Sequence, residues 1–247
     1  MAAHYTHDDD LLFLENCSEE QLATLAHILT HGSNGKARLT GSLLKNAEFL
    51  SLEGQDDQHR RCWQLIAAEL QHYGGDSIAN TVRGHGKAYR AILLDVCKRL
   101  KLKADKKEEA TWRIEQTLLE HFLLSAWQKM DDGQKQAFFD AIEQKRMEIE
   151  ALLPQLMENP RLAEGVSHLL ADELTRILRT QAALKVLTRG VMRGVGLAGP
   201  IGAAFTGITT LSGSASRVTI PAVLHIACLR RINLGRELTT KSSQPEA

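Results

Sequence analysis

The sequence predicts an all-α protein, a multi-helix globular bundle with a glycine-rich C-terminal helical hairpin. Three observations carry this. Apolar residues recur at three- and four-residue spacing in nearly every segment between breakers. Helix starts and stops, such as Ser18 with Gln21 and the glycines at 32, 74 and 75, fall at the ends of those segments. Only five prolines and 5% aromatic residues leave little of the punctuation that β-sandwiches use. At 247 residues the chain can bury a full core.

The elements follow in order. Ser18-x-x-Gln21 is a capping-box pattern ahead of Leu22, Leu25, Ile28 and Leu29, and Gly32 closes that helix into a loop reaching Arg38. A shorter helix is expected over Ser42 to Leu50. Asp56 or Asp57 starts the next, with Trp63, Ile66, Ala67 and Leu70 on one face, and Gly74-Gly75 ends it. Asp76 can cap a short helix to about Arg83, and Gly84-His85-Gly86 breaks the chain before a helix over Lys87 to Leu100. After a basic linker, Asp105 is expected to cap a long helix running through Leu118, Leu119, Phe122, Leu123 and Trp127. Asp131 to Gly133 reads as a turn, Gln134 to about Leu153 as one further helix, and Pro154 with Pro160 as an internal boundary. Leu162 to Arg193 is expected as a helix or helix pair.

Charge divides the chain unevenly. The total is balanced at 30 Lys/Arg and 30 Asp/Glu. Between Glu173 and Glu237, however, there is no acidic residue and there are nine basic ones, so the remainder holds 21 basic against 30 acidic. Such asymmetry suggests an anionic partner or a membrane surface. Within the segment, Leu197, Ile201, Phe205, Ile208 and Leu211 fall on one helical face and small residues on the other. Ser212-Gly213-Ser214 supplies a turn, and VTIPAVLHIACL from Val218 to Leu229 forms the second arm. Lys185, Arg189 and Arg193 flank the entry, Arg217 sits at the turn, and Arg230 and Arg231 mark the exit. A spanning helix needs roughly 20 apolar residues, and the second arm has 12. The segment therefore reads as the tightly packed core of a soluble bundle, as an element directed to a membrane surface or inserted conditionally, or as a partner or homo-oligomer interface. Its candidate surface comprises Lys185, Arg189, Arg193, Leu197, Ile201, Phe205, Ile208, Arg217, Arg230 and Arg231.

Signals for chemistry are few. Arg83, Gly84, Gly86, Lys87 and Arg90 place a glycine turn and three cations before a helix, an arrangement able to hold a phosphate or carboxylate, although it lacks the spacing of a phosphate-binding loop. His27 and His31 share a helical face without a third ligand. The four cysteines are isolated, with no C-x-x-C pair. No metal site, cofactor or catalytic constellation is expected, and nucleic acid is not an expected partner. Met1 to Asp10 carries three consecutive acids and no apolar run, so no signal peptide is expected, and the location expected is cytoplasmic, peripheral at the inner membrane.

Three stretches resemble a known family. They are HDDDLLFLENCSEEQLATLAHILT, WQLIAAELQHYGGDSIANTVRGHGKAYRAILLDVCKRLKLK and AGPIGAAFTGITTLSGSASRVTIPAVLHIACLR. They are similar to the bacterial YaaW-like family of unknown function, which is related to the ubiquinol–cytochrome c chaperone domain. The resemblance implies an all-helical cytoplasmic protein and brings no catalytic residues. Four regions are then expected: a short N-terminal helical module over 1–36, a helical chaperone-like domain over 37–158, the basic hairpin region over 159–236 and a disordered tail over 237–247. The functions this leaves open are a non-enzymatic chaperone, assembly or membrane-proximal factor, a conditional pore-forming stress or defence effector, and a soluble enzyme acting on an anionic small molecule.

Overall fold

Some helices begin at a local capping side chain, and others take a carboxylate from a distant part of the chain. The computed structural model describes residues 4–32, 37–38, 42–73, 86–103, 109–183 and 216–242, with side chains described as far as 176 and again over 218–235 in the last two helices. The first element is a 3-10 segment, Asp9–Asn16, capped by Asp8, whose carboxylate accepts from the Asp10 N–H at 3.1 Å. Sequence periodicity did not predict it. Helix α1, Glu19–Thr30, starts at the expected capping box: the Ser18 hydroxyl accepts from the Gln21 N–H, and the Gln21 side-chain Oε1 accepts from the Ser18 N–H at 2.9 Å.

A 3-10 turn, Leu43–Lys45, and the short helix α2, Ala47–Ser51, follow. The helix expected from Asp57 is divided into α3, Gln58–Arg61, and α4, Trp63–Tyr73, with Cys62 between them. The expected helix from Asp76 lies outside the described residues. Helix α5 spans Tyr89–Arg99 and α6 spans Thr111–Trp127. Ala110 is the residue before the first turn of α6, and Asp105, the expected cap, lies outside the described residues.

The long helix expected from Gln134 is also two helices, α7 over Asp132–Ala141 and α8 over Ile149–Glu158. Glu143 takes a positive φ of 54° at the break, and the Gln144 N–H bonds back to the Phe139 carbonyl, which closes α7. Asp131 is a cap with a reciprocal Gln134 partner rather than a turn residue. Pro154 lies inside α8 and does not end it. The boundary is at Asn159, whose side chain accepts from the Leu162 N–H, with Pro160 opening α9, Pro160–Ala183. The last helix, α10, runs Ser216–Ser242, past the point where the polar tail was expected to begin.

Helix α10 is the axis of the molecule. It touches the first 3-10 segment, α1, α4, α5, α6 and α9. Every residue from Val218 to Leu229 is buried. A helix apolar around its whole circumference is stable only in such an interior or in lipid, and here neighbouring helices surround it. Its larger aliphatic side chains contribute about 1.5–3 kcal/mol each by leaving water. Leu11, Leu14, Leu22, Phe122 and Ile226 belong to one continuous core, so the N-terminal segment and the C-terminal helix share it.

Candidate functional site

The polar groups of the interior converge where α5, α6 and α10 meet beneath the N-terminal segment. Glu115 on α6 is 1% exposed. Its carboxylate accepts from the Arg230 Nε at 2.6 Å and from the Tyr89 hydroxyl at 2.6 Å. The Arg230 guanidinium also donates to the Asp10 carbonyl and lies 4.4 Å from the Phe13 ring centroid. Asp10 accepts from the Thr111 hydroxyl at 2.8 Å, and Thr111 in turn accepts from Arg90 at 3.1 Å. Asp8 holds the Tyr89 N–H at 2.7 Å, so one carboxylate caps both the 3-10 segment and α5, across 81 residues of sequence. Beside this network Arg231 donates to Gln116 at 2.6 Å and lies over the Trp112 ring.

The electrostatics are those of an internal strut. Burial raises the Glu115 pKa, while Arg230 and the Tyr89 hydrogen bond act against it. Burial works against the Arg230 charge, but the Glu115 carboxylate beside it acts the other way and the Arg230 pKa is raised. Burial, then Glu115, push Tyr89 well above the usual phenol range, so it remains a neutral donor. Each group is satisfied by a protein partner, and the cluster offers no activated nucleophile.

Of the anion site expected from the sequence, Gly86, Lys87 and Arg90 are described, and each is engaged by a neighbouring residue. Arg83 and Gly84 lie outside the described residues. A Cβ on Gly86 would stand 2.6 Å from the Gln71 Cβ, so this glycine permits close packing on α4 and need not be part of a cradle. The Lys87 N–H donates to the Gln71 carbonyl at 3.0 Å and its ammonium pairs with Asp95. Arg90 is bound to Thr111. The described members therefore do not converge on an open cradle.

The cationic surface is corrected at its exit. Arg230 and Arg231, expected to face a membrane or partner, are drawn into the core network instead. Lys185, Arg189, Arg193, Leu197, Ile201, Phe205 and Ile208 lie outside the described residues, and Arg217 falls in the first turn of α10. The His27 and His31 rings stack at 4.3 Å, as their spacing predicts. Among the described residues no group of three His, Cys, Asp or Glu could hold a metal ion, and no helix is long and apolar enough to cross a membrane.

Sequence reasoning missed Glu115, Tyr89 and Asp10. A glutamate on the apolar face of α6, between Ile114 and Leu118 and Leu119, was the available signal. A second missed group is His225, 1% exposed on α10. Its Nε2 faces the Gln21 carbonyl at 3.1 Å, and burial lowers its pKa to about 4. It lines a cleft of about 500 Å³ with Thr24 and Thr175, between α1 and α9.

Comparison with known proteins places this arrangement. Residues 5–39 match the model of a domain of unknown function (DUF3944), and residues 58–224 match that of the ubiquinol-cytochrome C chaperone. The chain is 62% identical over 232 residues to the UPF0174 protein YaaW of Escherichia coli K12, covering 94% of this chain and 98% of that one. It is 32% identical over 240 residues to a UPF0174 protein of Helicobacter pylori J99, covering 92% of each. No solved structure matches. The chain belongs to the UPF0174 (YaaW-like) family, and its residues 58–224 match the ubiquinol-cytochrome C chaperone model.

Proposed function

We propose that this protein is a non-enzymatic assembly chaperone for a subunit of a membrane complex. The match of residues 58–224 to the ubiquinol-cytochrome C chaperone carries the reading. The use of Glu115, Tyr89 and Arg230 as internal struts supports it, since these buried ionisable groups hold helices together and face no open substrate site. The test is blue-native electrophoresis of membranes from a strain lacking the protein. Loss of at least one respiratory assembly, restored by the wild-type chain, is expected. An unchanged complex profile under aerobic and oxygen-limited growth would refute the role.

A chaperone for a membrane complex needs access to the membrane, and the acid-free segment favours contact with anionic lipid. In this proposal Lys185, Arg189 and Arg193 supply about 1 kcal/mol each at the surface. Flotation with phosphatidylglycerol vesicles at low salt should carry the protein upward without releasing an entrapped dye. Dye release would point to pore formation instead, and absence of flotation would remove the membrane contact.

A further inference from the structure

Residues 5–16 sit on the rest of the molecule in the manner of a bound peptide. We propose that the groove they fill, between α4, α5, α6 and α10, is a binding site for client segments of the pattern Asp-x-Asp-Leu-x-x-Leu, and that the N-terminal segment is its built-in tenant. The nature of the ligand rests on the chaperone reading, whereas the site and its chemistry rest on the contacts.

The segment's conformation comes from the groove. It is a 3-10 run of eight residues, and such runs are rarely longer than three or four because their hydrogen bonds are poor. Its anchoring residues are met by matching groups. The Gln71 side-chain amide brackets Thr6, donating to its carbonyl at 2.7 Å and accepting from its N–H at 2.9 Å. The Tyr89 N–H and the Thr111 hydroxyl hold the Asp8 and Asp10 carboxylates. Arg230 takes the Asp10 carbonyl and lies against Phe13, while Leu11 and Leu14 are wholly buried. Leu12 is 39% exposed, so the position between the two anchors tolerates variation.

The groove is also built to remain when the segment leaves. Arg230 is fixed from the far side by Glu115, and Glu115 by Tyr89. Gln71, Tyr89 and Thr111 lie within the 58–224 match, Arg230 lies just beyond it, and the tenant lies within the separate 5–39 match, so most of the seat and the tenant belong to two separately described domains. A tethered segment competes at an effective concentration in the millimolar range. A client therefore gains the site when the tether contacts are weakened.

The experiment uses the full chain and a fluorescein-labelled peptide of residues 4–16, read by polarisation. The variant Asp8→Ala/Leu14→Ala, changed in the N-terminal segment, leaves Gln71, Tyr89, Thr111 and Arg230 intact. It should bind the peptide at least about tenfold more tightly than the wild-type chain. A peptide carrying Leu11→Asp and Leu14→Asp should not bind. Equal affinity of both chains, or of both peptides, overturns the proposal. Should the variant fail to fold, hydrogen exchange on the wild-type chain decides. Amides of residues 9–16 exchanging at least about tenfold faster than those of α6 and α10 support a detachable tenant, and exchange only together with those helices overturns it. Peptide binding without any defect in membrane complexes keeps the groove and removes the assembly role. An assembly defect with no peptide binding removes the groove alone.

Discussion

Arg230→Ala should be among the most damaging single changes in the molecule, and its cost should depend on pH. The substitution leaves the Glu115 carboxylate at 1% exposure with Tyr89 as its remaining hydrogen-bond partner. Removing one member of a buried pair costs about 3–5 kcal/mol, and the lost stacking on Phe13 adds about 0.5–1 kcal/mol. Glu115 can relieve part of this by taking a proton. Burial already raises its pKa, and Arg230 is the largest influence acting the other way. In the variant the folded-state pKa therefore rises further above the unfolded value of about 4.3. A carboxyl raised in the folded state contributes its stability below the unfolded pKa and loses it as pH rises through the folded pKa. The deficit of the variant should thus grow from pH 4.5 to pH 8. Urea unfolding followed by tryptophan fluorescence reads it, because Trp63, Trp112 and Trp127 all lie in packed helices. The double variant Glu115→Met/Arg230→Met should recover most of the loss, since a buried pair replaced by apolar side chains of similar volume is often neutral. A loss under about 1 kcal/mol, a loss independent of pH, or a double variant as unstable as the single one would refute the strut.

Three further outcomes are expected. Gly86→Ala should lower stability by about 1–3 kcal/mol through its clash with Gln71, while Lys87→Ala should cost no more than about 1 kcal/mol; a thermal-unfolding series separates the two, and the reverse order would restore the anion-site reading. His225 has a folded-state pKa of about 4 against 6.5 ordinarily, so its contribution is complete above the unfolded pKa and is lost as pH falls through the folded one, a change of about 3 kcal/mol; His225→Gln should flatten the acid limb of the stability profile, and an unchanged slope would exclude the assignment. All four cysteines are buried, and burial pushes Cys97 up to about 11 and Cys228 higher still; a thiol reagent at pH 8 should therefore label the native protein no faster than it unfolds, as followed by mass spectrometry.

Local signals made the helices legible and left their seams obscure. Ser18 with Gln21 announced α1 because a capping box is complete within four residues. The apolar run Val218 to Leu229 announced a helix from its own residues, while its place in the core, at a membrane or against a partner stayed open. The division between α7 and α8 was hidden, because Phe138, Ile142, Ile149 and Leu152 keep helical spacing across a break made by one backbone angle at Glu143. The start of α5 was hidden differently: its capping carboxylate is Asp8, a residue no local window around Tyr89 contains. The internal network was the least legible, since Arg230 meets Glu115 across 115 residues and Asp10 across 220.

That last distance changes what the acid-free segment means. Counted along the chain, Arg230 and Arg231 have no acid within five residues on either side, and they look like the exit of a membrane-facing hairpin. Counted across the fold, their partners stand on α6 and on the N-terminal segment, and the two cations stitch the last helix into the core. A local excess of one charge sign is thus evidence of a surface only where no distant segment supplies the opposite sign. The membrane proposal consequently loses Arg230 and Arg231 and rests foremost on Lys185, Arg189 and Arg193. Changing these three to glutamine should abolish flotation with anionic vesicles while leaving the urea midpoint unchanged. A loss of stability in place of a loss of flotation would place them, like Arg230, among the struts of the fold.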